Sequence, residues 1–161
     1  MQKCIILLNG KNEGKTFLIE TLKENDYWVW NVNYKNVLSM VAHKVGYDGT
    51  KSKEFYDFIE EFKVLANRYF SSESWYIDMM IDKFYESQKA QILIVHGASP
   101  EISADLQNKY NAFTINITTS DENIENNVKY CKCLNCNHEN YKQEILDCIQ
   151  IMTKDFQKEN E

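Results

Sequence analysis

Residues Met1 to Thr16, MQKCIILLNGKNEGKT, constrain the fold of this chain more than any other stretch. Cys4 to Leu8 is a short unbroken apolar run, the pattern of a strand buried on both faces. Gly10 and Gly14 follow it, then Lys15 and Thr16, and then Leu18, Ile19 and Leu22 at helical spacing. The pattern predicts a buried strand, a glycine turn and a helix start. The first backbone N–H groups of a helix have no intrahelical acceptor and sit at the positive end of its dipole, so such a turn suits an anion. Lys15 adds a formal charge and the Thr16 hydroxyl adds a ligand for Mg²⁺. These features point to a nucleotide phosphate.

The stretch approximates the Walker A pattern, Gly-x4-Gly-Lys-Ser/Thr. Counting back from Gly14-Lys15-Thr16 places Asn9 at the first glycine, with Gly10 one position late. Asparagine is the residue after glycine that best tolerates left-handed backbone angles, so the turn is feasible there; alternatively the loop is one residue short. The candidate phosphate-binding residues are Asn9, Gly10, Lys11, Asn12, Glu13, Gly14, Lys15 and Thr16. The plainer reading of the same letters is an ordinary strand-to-helix turn carrying a surface Lys-Thr pair.

Four further β-type runs follow: Tyr27 to Val32, Gln91 to Val95, Ala112 to Ile117 and Val128 to Leu134. Helical patterns separate them. Tyr34 to Val45 carries one apolar stripe and ends at Gly46, ahead of a turn at 47–50. From Ser52, residues Phe55, Phe58, Ile59, Phe62, Leu65, Ala66 and Tyr69 form the strongest helical stripe, expected to face a core. Ser71-Ser72-Glu73 breaks the chain before a helix opened by Trp75. Ser99 is a natural N-cap with Pro100, the single proline, at the first helical position. The acidic run Asp121 to Asn127 reads as a surface turn of helix, and Asn137 as the cap of a last helix with Ile145, Cys148, Ile149, Met152 and Phe156 inward. Strands alternating with helices predict a single α/β domain over 1–161, a five-stranded, mostly parallel sheet covered by helices on both faces, with ligands at the strands' carboxyl ends.

Composition narrows the function. A net charge of −6 argues against nucleic-acid binding, which needs a basic face. No apolar run approaches the roughly 18 residues of a membrane span, and the N-terminus lacks a signal-peptide pattern, so a cytoplasmic protein with no membrane partner is expected. The cysteines Cys4, Cys131, Cys133, Cys136 and Cys148 then read as reduced thiols. Lysine is abundant while Arg68 is the sole arginine, so bidentate phosphate clamps cannot be built from several guanidinium groups. A homodimer is left open.

With those residues laid out, the chain resembles the phage-type deoxynucleoside monophosphate kinases and the adenylate-kinase-like P-loop nucleotide kinases around them. The resemblance rests on NGKNEGKT, on Asn36-Val37-Leu38 and Gly46-Tyr47-Asp48-Gly49, on Trp75, on the cadence of Ile92 to Ile117, and on Asn135 before the final helix. It implies a three-layer P-loop kinase-like fold and phosphoryl transfer from ATP, helped by Mg²⁺, to a nucleoside monophosphate. Lys15 would hold the β and γ phosphates, Thr16 would ligate Mg²⁺, and the N–H groups of Gly10 to Lys15 would cradle the phosphates. The acceptor would lie between the helices of 34–69 and the end of the third strand.

Two departures bear on activity. Where such kinases carry Asp-x-Arg after the third strand, this chain reads His96-Gly97-Ala98-Ser99-Pro100-Glu101. The second is the lone Arg68, which either faces the acceptor or lies on the surface. His96 either contacts a phosphate or water or closes the strand through a hydrogen bond. Glu101 either replaces the lost acid or is a helix-start residue. Separately, Cys131, Cys133, Cys136 and His138 have a zinc-knuckle spacing, but two thiolates on one strand face sit about 7 Å apart, too far to share a zinc at about 2.3 Å without a bend, which weighs against zinc. Three classes remain: an active kinase with Lys15, Arg68 and His96 as catalytic candidates, a degenerate nucleotide- or phosphate-binding protein acting through a partner, and a metal-binding α/β domain.

Overall fold

A computed structural model describes residues 3–47, 52–70, 74–120 and 131–158. The apolar run at the start forms β1 (Cys4–Gly10), which leads directly into α1 (Asn12–Glu24). The chain continues through β2 (Val29–Asn33), α2 (Tyr34–Lys44), α3 (Lys53–Tyr69), α4 (Trp75–Glu86), β3 (Ile92–His96), α5 (Pro100–Tyr110), β4 (Phe113–Thr118), β5 (Cys131–Asn135) and α6 (Tyr141–Lys158). The expected turn at 47–50 lies outside the described residues beyond Tyr47. So do the break at 71–73, the acidic run 121–127 and residues 128–130.

The five strands form one all-parallel sheet in the order β2-β3-β1-β4-β5. β1 is central because its residues are apolar on both faces. Ile5 and Leu7 point to one layer, with Leu93 and Val95 of β3, and meet residues from α2, α3, α4 and α5. Cys4, Ile6 and Leu8 point to the other, with Ile115 and Ile117 of β4, and meet α1 and α6. The result is three layers in a P-loop-like α/β arrangement, with the cores sitting on either side of the central strands.

Local sequence sets the helix ends. The Ser52 hydroxyl accepts from Phe55 N–H to start α3, and Ser99 accepts from Ile102 N–H to start α5, with Pro100 at the first position as expected. The Lys3 ammonium donates to the carbonyls of Phe84, Tyr85 and Ser87 and lies over the Phe84 ring, which satisfies orphan acceptors at the end of α4. α4 is joined to α5 by polar contacts: Ser74, at the start of α4, donates to Asp105, Lys109 pairs with Asp78 at 3.3 Å, and Tyr110 donates to Asp78 at 2.9 Å.

Two expectations need correction. Asn137 does not cap α6: its N–H donates to Asn135 Oδ1 and its side-chain amide to the Thr119 carbonyl, so it is used in the turn and the helix starts at Tyr141. The stripe of α3 is also only partly inward. Phe55, Ile59 and Ala66 are buried, but Leu65 is 51% and Tyr69 78% exposed: Leu65 stands about 100° round the helix from Ala66, outside the covered face, and Tyr69 is the last residue of the helix.

Gly10 and Gly46 both have positive φ, +96° and +100°. A Cβ at Gly46 meets open space, whereas one at Gly10 falls 2.0 Å from the Ile117 carbonyl oxygen. Gly46→Ala is therefore expected to cost about 1–2 kcal/mol of conformational strain, and Gly10→Ala clearly more, because backbone of the central sheet would have to move. Urea unfolding of the two variants checks the order; equal losses would refute the clash at Ile117.

Candidate functional site

The site begins where β1 ends. Gly10 pairs with Ile117 at the carboxyl end of β4, and Lys11 N–H donates to the Ile117 carbonyl at 3.3 Å. Lys11 is then the N-cap of α1, in extended conformation, and Lys15 N–H donates back to its carbonyl at 3.1 Å. The turn is thus a single residue, and the segment 10–15 is not an open loop. Asn9 lies in the strand opposite Asn116, and Gly10 has the left-handed φ considered for Asn9; of the two readings left open, the shorter loop is the one formed. The cradle narrows accordingly. Gly10 and Lys11 belong to the sheet edge, Lys15 N–H is inside the helix, and Asn12, Glu13 and Gly14 are the first-turn residues whose N–H groups have no intrahelical acceptor.

Gly14 has a packing role as well. A Cβ there would fall 2.4 Å from Ile117 Cγ2 and 2.9 Å from Cys136 Cβ, so only glycine lets α1 approach β4 and the turn after β5 this closely. Tyr141, at the start of α6, donates its hydroxyl to the Gly14 carbonyl at 3.0 Å and packs on Phe17 with the rings tilted by 30° and their centroids 5.6 Å apart. Burial, followed by the neighbouring Cys136 and Glu144, pushes the Tyr141 phenol well above its ordinary range, so it remains a donor.

The connections from β1 and β3 leave toward opposite faces, α1 on one and α5 on the other, and at such a switch point α/β sheets form their crevice, outside the carboxyl ends of the two adjacent strands. Lys15, half-buried on α1, and His96, the last residue of β3, come together there. Burial first, and the Lys15 ammonium second, hold the His96 imidazole below its ordinary pKa. Gly97, with φ +81°, turns the chain away after His96, beside Asn33 at the end of β2. The Thr16 hydroxyl donates to the Asn12 carbonyl at 3.1 Å, which uses its proton and leaves oxygen lone pairs on an exposed side chain.

Other candidates are not gathered here. Arg68 is exposed on the last turn of α3, and among the described residues no hydrogen bond or ion pair joins it to Lys15 or His96. The Glu101 carboxylate is held below its ordinary range by its own backbone N–H and by Ser99, the behaviour of a helix-start residue. Among the described residues no group of three or more His, Cys, Asp or Glu side chains is placed to hold a metal. His138 instead pairs with Glu144 at 2.9 Å, Cys136 packs on Gly14, and the Cys131 side chain lies outside the described set. A cleft of about 350 Å³ lined by Lys23, Asp26, Tyr27, Trp28 and Val29 sits at the opposite, amino end of the sheet.

Sequence reasoning named Lys15 and His96 as candidates of one site; what it lacked was the parallel pairing of β1 with β3, which sets them side by side at one edge. It also missed the role of Ile117, which nothing near the glycines signals. No helix among the described residues is long and apolar enough to cross a membrane. No protein-family model matches the chain, and no curated protein matches it in sequence.

A histidine with a lowered pKa stabilises the fold in its neutral form. Its contribution is fully present above the unfolded value of about 6.5 and is lost as pH falls below that value through the folded pKa, where the unfolded chain binds the proton more readily. Lys15→Met should raise the His96 pKa toward the ordinary value, read by NMR titration of the three histidines. An unmoved His96 would show that the two groups do not share the crevice.

Proposed function

We propose that this chain binds the phosphates of a nucleotide, ATP with Mg²⁺, at the first turn of α1, and that it is a phosphotransferase of the (deoxy)nucleoside monophosphate kinase kind. The observation that supports this reading is the convergence of Lys15, His96 and the open first turn of α1 in one crevice at the carboxyl ends of β1 and β3. Lys15 would neutralise terminal phosphate charge, and the N–H groups of Asn12, Glu13 and Gly14 would donate to phosphate oxygens. The Thr16 oxygen, with its proton given to Asn12, fits a hard cation. Bound Mg²⁺ would supply charge neutralisation to the transferring group. His96, kept neutral by burial and by Lys15, suits a hydrogen bond to a phosphate or a water and not a charge. A cytoplasmic setting goes with this reading.

A second reading, nucleotide or phosphate binding without transfer, is favoured by one geometric fact. α1 begins at Asn12, so the turn presents a few donors at a helix end and does not wrap a phosphate chain. The missing Asp-x-Arg after β3 and the position of Arg68 on the exposed last turn of α3 support the same reading.

Calorimetric titration with ATP and Mg²⁺, followed by assays of phosphoryl transfer to a panel of deoxynucleoside monophosphates, separates the two. Lys15→Ala should weaken ATP binding at least about 10-fold, as expected for a charge-assisted contact worth about 1.5–3 kcal/mol, while its circular dichroism stays that of the parent. Undiminished binding by this variant would refute the site. Binding with no product from any acceptor would leave the second reading.

A further inference from the structure

Helix α3 directs Glu61, Val64, Leu65 and Arg68 along one stripe at the i, i+3, i+4, i+7 spacing of a helix-packing seam. All four are exposed, Val64 at 54% and Leu65 at 51%, while Phe55, Ile59 and Ala66 occupy the core on the other side. The stripe has an internal antisymmetry. Its midpoint is the Val64–Leu65 bond; an acid lies three residues before that pair and a base three residues after it. A second α3 crossing antiparallel about a two-fold axis at this midpoint sets Val64 against the partner's Leu65 and Glu61 against the partner's Arg68, on both sides of the axis. A parallel crossing would oppose like charges. Self-complementarity under a two-fold operation is what an isologous contact requires.

We propose that this stripe is a homodimer interface, in which α3 packs antiparallel on α3 of a second copy of this chain. Charge complementarity selects this occupant, because the face carries its own counter-charges in the order the two-fold axis demands. Arginine is enriched and effective in such contacts, being weakly hydrated and able to bind a carboxylate through two parallel hydrogen bonds. The chain's single arginine stands at this position, beside the exposed Tyr69 and Phe70, which would extend the apolar contact at its rim.

Sedimentation velocity over a concentration series tests this directly. The parent protein should show a concentration-dependent dimer. Arg68→Glu and Glu61→Arg should each raise the dimer dissociation constant at least about 10-fold, since each opposes like charges twice. Because the residues are exposed, circular dichroism of both variants should match the parent. Mixing the two variants sets the two acids of one chain's stripe against the two bases of the other's, and so should restore association as a heterodimer. The proposal is overturned if the parent is monomeric throughout the series, if its dimer is insensitive to both reversals, or if the mixed variants fail to associate.

Discussion

The contact on which this structure depends is the seating of Ile117 between Gly10 and Gly14. Gly10 lies against the Ile117 backbone and Gly14 against its side chain, so one residue of β4 fixes both the end of β1 and the first turn of α1. Everything at the carboxyl edge follows from that placement. α1 leaves the sheet after a single residue, its first turn is held from the far side by the Tyr141 hydroxyl, and Lys15 is delivered to the crevice beside His96. A methyl group at either glycine would push α1 outward and open this junction.

The same contact changes what the glycine spelling means. In a phosphate-wrapping loop, glycines are needed because backbone must approach the ligand closely. Here each glycine also has a neighbour within the chain that excludes a Cβ, so their presence is accounted for by packing before any ligand is considered. Lysine and threonine are different. Neither Lys15, half-buried at the mouth of the crevice, nor the exposed Thr16 is required by the core, and it is these side chains on which the functional reading rests.

The fold was legible in the sequence wherever burial on two faces writes a continuous apolar run. β1 and β3 were readable for that reason, β4 through the alternation of Phe113, Ile115 and Ile117 with polar residues, and Ser99-Pro100 marked the start of α5 through local cap chemistry. Three features were not legible, each for a physical reason. The start of α1 at Asn12 is hidden because Asn12 and Glu13 are equally acceptable in a loop or a first helical turn. The exposure of Leu65 and Tyr69 is hidden because periodicity says which residues share a face and not how wide a face the neighbouring layer covers. The placing of β3 beside β1, which sets the two candidates Lys15 and His96 side by side, depends on strand order, which no local pattern encodes.

Charge at the first turn of α1 also limits which anion suits the proposed site. Lys11 and Lys15 and the positive helix end favour negative charge, but Glu13 lies in the same turn and gains from the same field. A free anion would meet the Glu13 carboxylate as a like charge. An anion carrying its own divalent cation would meet it with that repulsion offset, and the cation would find the Thr16 oxygen within the same turn. With His96 neutral and no arginine in the crevice among the described residues, the side-chain cations available are lysines, which act as point charges and hold a phosphate without fixing its orientation. The composition of the turn therefore suits a metal-complexed phosphate, and it places more of the burden of orientation on the backbone donors of Asn12, Glu13 and Gly14 than on any side chain.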